Sequence, residues 1–96
     1  MKPSIALSSN RAVIRALVNA HGLRNPRVFG SVTRCEDTEV SDLDILVDPL
    51  PNTSLLDLAK LQLSLEKQLG IHVDVLTPNA LPESFRNQVL SNAIPV

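Results

Sequence analysis

The sequence predicts an α/β (α+β) fold, a small mixed sheet with helices packed on one face. Two stretches carry that expectation. "DLDILVD" (42–48) and "IHVDVL" (71–76) alternate polar and apolar residues, the period of a strand with one buried face. The segments between and around them instead repeat their apolar residues at helical spacing, bounded by capping residues. Ninety-six residues leave room for one core, so the expectation is a single domain spanning residues 1–96.

The elements follow in order. From about 9 to 21, Val13, Ile14, Leu17 and Val18 mark one helical face, with Ser8, Ser9 or Asn10 as cap and Gly22 as terminator. Pro26 precedes "RVFG", a short strand, and 31–37 reads as a turn of helix and a polar loop. In 42–48, Leu43, Ile45 and Val47 share one face while Asp42 and Asp44 share the other. Thr53 or Ser54 caps a long helix to Leu69, closed by Gly70. In 71–76, Ile71, Val73 and Val75 are opposite His72, Asp74 and Leu76. After Pro78, "LPESFRNQVLSNA" reads as a last helix with Pro82 in its first turn. The long helix holds more leucines than one core contact needs: Leu55, Leu56, Leu58, Leu61, Leu63, Leu65 and Leu69. Either it is wedged between sheet and neighbouring helix, or part of its surface docks a partner.

Composition removes several functions. A net charge of −1 gives no cationic footprint for nucleic acid, and Phe29 and Phe85, the only aromatics, do not make a base-stacking platform for a strand. The expectation is no direct nucleic-acid binding. No segment approaches the roughly 20 apolar residues that span a bilayer, and the lone Cys35 offers no internal disulfide or cysteine-based zinc site. A cytoplasmic protein without membrane contact is expected.

Chemistry concentrates at two places. Asp42 and Asp44, about 7 Å apart by backbone rise on one strand face, can converge on a shared cation. If the next strand brings Asp74 alongside, three like charges crowd together, and one protonates unless a cation intervenes. Magnesium suits such a site, because it prefers oxygen ligands and keeps phosphates and waters among them. Gly30-Ser31 ends the preceding strand. Gly30 lets backbone approach a phosphate, Ser31 adds a hydroxyl, and Arg34 adds positive charge. Gly-Ser, ten residues, then Asp-x-Asp arises by chance on the order of once in a thousand chains this long.

That spacing resembles the G-S-x10-D-x-D signature of the nucleotidyltransferases of the DNA polymerase β superfamily. "FGSVTRCEDTEVSDLDILV" is most similar to its minimal members, the MNT-domain antitoxins paired with HEPN-domain toxins. The resemblance implies a polymerase β-like core, and ATP as substrate with two Mg²⁺ ions. It implies nucleotide-binding roles for Gly30 and Ser31, joined by Arg34 and Ser41 as further candidates. Asp42, Asp44 and Asp74 become metal ligands and catalytic residues, with Asp74 helping to deprotonate the attacking hydroxyl. The implied reaction transfers AMP to a tyrosine of a cognate HEPN ribonuclease toxin and silences it, within a hetero-oligomer. Where the family pattern continues x-Ala-Arg-Gly-Glu after Gly-Ser, this chain has Thr33 for the alanine and Cys35 for the glycine, while Arg34 and Glu36 agree.

Other readings stay open at this level. Arg34 contacts phosphate or pairs with Glu36 or Asp37. Ser41 touches phosphate or caps its loop. His72 approaches Asp74 or faces solvent, and Asp48 ends its strand. The function itself has two alternatives: an antitoxin that only occludes its partner, and a small-molecule nucleotidyltransferase with a separate substrate-binding subunit.

Overall fold

A computed structural model describes residues 1–96. Two short helices open it, α1 (Pro3–Ser9) and α2 (Arg11–Ala20), where the sequence predicts one. Pro3 takes the first position of α1, where its missing N–H is harmless. The Ser4 amide is capped by Oδ2 of Asp37 at 2.9 Å, a partner 33 residues away. That hydrogen bond holds the Asp37 carboxyl below its ordinary pKa. Asn10 separates the helices, and its side-chain amide donates to the Ala6 carbonyl at 2.8 Å rather than capping α2.

Strand β1 (Leu23–Phe29) starts earlier than "RVFG" because Pro26 lies inside it. The β1–β2 register shifts between Arg24 and Arg27, and Asn25 takes a positive φ of 55°. A bulge is one of the few places a strand accepts proline. A three-residue helical turn, Gly30–Val32, follows, then a loop and β2 (Leu43–Pro49). Helix α3 (Leu55–Leu69) begins at the predicted Ser54, whose side chain and that of Asp57 form a reciprocal capping box. It ends at Gly70, in the left-handed conformation at φ 72°. Strand β3 (Val73–Leu76), a short turn at Pro78–Ala80 and α4 (Glu83–Asn92) complete the predicted order. A final two-residue strand, β4 (Ile94–Pro95), was not predicted.

The sheet order is β3-β2-β1-β4, with β2 and β3 parallel and the other pairs antiparallel. Its inner face meets α2 and α3 in one core containing Ile14, Val18, Leu43, Ile45, Val47, Leu61, Leu65 and Val73. Burying each such side chain stabilises by about 1.5–3 kcal/mol. Leu46 projects to the opposite face by alternation, yet it is fully buried outside that cluster, as is Leu81 at 3% exposure. The segment 78–80 packs against β2. Only Leu61, Leu65 and Leu69 of α3 are buried, and Leu55 remains 84% exposed, so the long helix is not wedged on all sides. Two side chains of α3 cover the open edge of β3: Gln62 accepts from the Val75 amide at 3.3 Å and Glu66 from the Val73 amide at 3.1 Å. Edge amides answered in this way are closed to a foreign strand. No helix is long and apolar enough to cross a membrane.

Candidate active site

The topology gathers the predicted groups at one end of the sheet. Because β1 runs antiparallel to β2, its last residue, Phe29, pairs with Asp44. Because β3 runs parallel to β2, Asp74 pairs with Asp44 from the other side. Asp44 therefore sits in the middle strand, with the Gly30–Val32 turn starting on one flank and Asp74 on the other. Asp42 precedes the first residue of β2 and is exposed, as is Asp74, whereas Asp44 is half-buried.

Electrostatics single out Asp44. Burial first, then the charges of Asp74 and Asp42, raise its pKa from 3.8 to about 6. Arg34 acts in the opposite direction, which puts its guanidinium within electrostatic reach. No group of three His, Cys, Asp or Glu side chains is arranged to hold a metal ion unaided. The arrangement is a close pair, Asp44 and Asp74, with Asp42 at the rim. Such a pair can take a cation that brings other oxygen ligands with it.

Gly30 has two reasons to be glycine. Its φ is +78°, and a Cβ there would overlap Oδ2 of Asp44 and lie 3.3 Å from its Cγ. Backbone and carboxylate thus touch directly. The turn commits its carbonyls inward: the Thr33 amide donates to Gly30 O at 3.1 Å, and the Arg34 and Glu36 amides donate to Ser31 O at 3.2 and 3.0 Å. Amides at the start of a helical turn have no partner within it, and they point the other way.

The two departures from the family pattern have distinct local effects. Thr33 Oγ1 donates to the Gly30 carbonyl at 2.7 Å, a bond alanine could not make. Cys35 is exposed and holds φ +55°, the left-handed conformation that explains glycine at this place in the pattern. Arg34 Nε pairs with Glu36 at 3.1 Å on the surface. Ser41 Oγ accepts from the Thr38 amide at 2.9 Å and so closes its own loop. Asp48 is at the far end of β2, held by Arg27 and Asn25, each at 3.0 Å. His72 is 88% exposed, and its Nδ1 lies 3.5 Å from Glu66.

A cavity of about 540 Å³ opens beside the turn, bounded by Phe29, Gly30 and Arg34 on one side and by α4 on the other. Sequence reasoning did not connect α4 to the site. The available signal was that Phe85, Gln88 and Asn92 recur at helical spacing, with Phe85 one of two aromatics in the chain.

Comparison with known proteins bears on the fold and the family. Residues 13–96 match the family model described as polymerase beta, nucleotidyltransferase. A Methanocaldococcus jannaschii protein named as a candidate protein adenylyltransferase is 42% identical over 86 residues, covering 90% of this chain and 91% of that protein, and the protein adenylyltransferase MntA of Thermococcus cleftensis is 36% identical over 89 residues, covering 84% of this chain and 90% of that one. A solved structure described as a candidate minimal nucleotidyltransferase superposes with a TM-score of 0.86 at 43% identity, over 97% of this chain and 95% of that one. The complex of a tri-AMPylated Shewanella oneidensis HEPN toxin with its MNT antitoxin contains a chain of the same fold. There the TM-score is 0.69 at 20% identity, over 92% of this chain and 69% of that one. With the Gly-Ser turn and the aspartates at one sheet end, the chain belongs to the polymerase β-type nucleotidyltransferase family.

Proposed function

We propose that this chain is a single minimal nucleotidyltransferase domain that acts as an antitoxin. It transfers AMP from ATP to a tyrosine hydroxyl of a HEPN-domain toxin. One observation carries the chemistry: Asp44 is fixed between the backbone of Gly30 and the carboxylate of Asp74, in a place where its negative charge is disfavoured. A fold that retains a carboxylate there gains from it only when positive charge arrives. The protein adenylyltransferase relative supports AMP as the transferred group, and the toxin–antitoxin complex supports the class of acceptor.

Asp42, Asp44 and Asp74 would hold Mg²⁺, and the donor set fits, because magnesium binds through one or two carboxylates plus substrate phosphates and waters. When bound, the ions supply positive charge that offsets the carboxylates and the charge developing on phosphate. The residues of the chain do the rest. Gly30 and Ser31 hold the triphosphate with backbone amides, and Arg34 adds a nearby cation. The tyrosine oxygen forms a bond to the α-phosphorus as the bond to the bridging oxygen of the β-phosphate breaks. Pyrophosphate leaves, and the exposed Asp74 takes the hydroxyl proton and passes it to water. The acceptor tyrosine arrives on the partner.

The test is transfer of label from α-labelled ATP to the purified partner. The wild-type chain should label it in Mg²⁺ and stop when the metal is chelated, and Asp42→Asn with Asp44→Asn should abolish transfer while staying folded. Undiminished transfer by the folded double variant excludes this mechanism.

A further inference from the structure

The ten residues that separate Ser31 from Asp42 form two closed turns joined at Asp37. In the first, the amides of Thr33, Arg34, Cys35 and Glu36 all donate back to carbonyls of Gly30, Ser31 or Val32. In the second, the Ser41 amide donates to the Thr38 carbonyl at 3.1 Å, and the Thr38 amide to Ser41 Oγ at 2.9 Å. Each turn thus directs its hydrogen bonds onto itself. Asp37 reaches outward, and its Oδ2 accepts from the Ser4 amide of α1 at 2.9 Å. That helix is a firm anchor, with Pro3, Ala6 and Leu7 buried. The one other polar link from 33–41 to a distant element joins Glu39 to the Met1 ammonium at 2.7 Å. Both of those groups are largely exposed, where ion pairs contribute little.

We infer that Asp37 is a positioning residue: by tying the loop to α1, it sets where Asp42 lies relative to Asp44 and Asp74. The inference rests on the metal-dependent transfer reading above and adds what holds the outermost carboxylate of that site. Asp42 needs such a hold. It precedes the first residue of β2, is exposed, and has no hydrogen bond to fix its carboxylate. On one side its neighbour Leu43 is fully buried, and the Leu43 amide donates to the His72 carbonyl at 3.0 Å. On the other side its neighbour Ser41 belongs to the second turn, which Asp37 anchors. With that anchor gone, Asp42 is held from the strand side alone. Losing an outer hydrogen bond that orients a metal ligand typically weakens metal affinity by about 10–100-fold. The first turn is independent of Asp37, because it keeps its own bonds and Gly30 packs directly against Asp44. Asp37 therefore acts on the metal side of the site and not on the backbone that holds the triphosphate.

Binding of Mn²⁺ to the full chain, read from the paramagnetic resonance signal of the free ion, tests this. Mn²⁺ accepts the same carboxylate and water oxygens as Mg²⁺. Asp37→Ala should weaken Mn²⁺ binding about tenfold and raise by a similar factor the Mg²⁺ needed for half-maximal label transfer. At saturating Mg²⁺ its KM for ATP should match that of the wild type, since the first turn is untouched. Asp37→Asn keeps an acceptor oxygen without the charge, so it should restore most of the Mn²⁺ affinity. Equal Mn²⁺ binding by Asp37→Ala and the wild type overturns the inference, even where the variant is less stable. Equal weakening in Asp37→Ala and Asp37→Asn also overturns it, because the effect is then one of charge and not of the tether. A wild type that binds Mn²⁺ and labels the proposed partner, beside an Asp37→Ala variant that does both equally well, sinks the tether alone. A wild type that does neither sinks the parent reading and the tether with it.

Discussion

Replacing Asp44 with asparagine should make the protein more stable while making it inactive. The carboxyl has a pKa raised from 3.8 to about 6, chiefly by burial and then by Asp74 and Asp42. The folded state therefore holds this proton more tightly than the unfolded chain. Stability from that proton is fully present below 3.8 and is lost as pH rises through about 6. Each pK unit corresponds to about 1.4 kcal/mol, which bounds the loss near 3 kcal/mol. Asp44 is only half-buried, so solvent screening reduces the effect to about 1–2 kcal/mol. Asparagine keeps the shape and carries no charge to desolvate. Urea unfolding in chelator should show variant and wild type nearly equal at about pH 3.5, separating to about 1–2 kcal/mol at about pH 7.5. In a domain this size, that is roughly 5–15 °C in Tm. Adding Mg²⁺ should narrow the gap by stabilising the wild type alone. A variant no more stable at neutral pH, or a gap that does not change with pH, would refute the electrostatic account of the site.

Three other outcomes follow from named contacts. Cys35→Gly should stabilise by about 1 kcal/mol in thermal unfolding, because glycine relieves the left-handed backbone at φ +55°, whereas Cys35→Ala should give no gain. Gly30→Ala should destabilise by more than 1 kcal/mol and abolish transfer, since the added methyl meets both a φ of +78° and the Asp44 carboxylate. Both losses are read by unfolding and by labelled ATP. Gln62→Ala with Glu66→Ala should uncover the amides of Val75 and Val73 along β3, and light scattering should detect more self-association than in the wild type.

Much of this architecture was legible because its determinants are local. Residues 42–48 show their faces through a period of two, and the bounds of α3 follow from Ser54 and Gly70. Pairing Asp44 with Asp74 needed only two strands with aspartate on matching faces and a helix between them to make them parallel. What escaped depends on distant partners. Helix α1 takes an amide cap from Asp37, and β4 exists because Ile94 pairs with Val28, as its exposed residues show no strand pattern. The early half of β1 was hidden by Pro26, which reads as a break until a bulge accommodates it. The cavity wall of α4 is a tertiary fact of the same kind: helical spacing marks a stripe but does not say what the stripe faces.

The most direct measurement is the intact mass of the proposed HEPN-domain partner after co-expression with this chain. With the wild type the partner should be heavier by one or more AMP units, and with Asp42→Asn and Asp44→Asn its mass should not shift. A partner that stays unmodified while bound tightly to the wild-type chain would contradict it and leave occlusion as the mode of neutralisation.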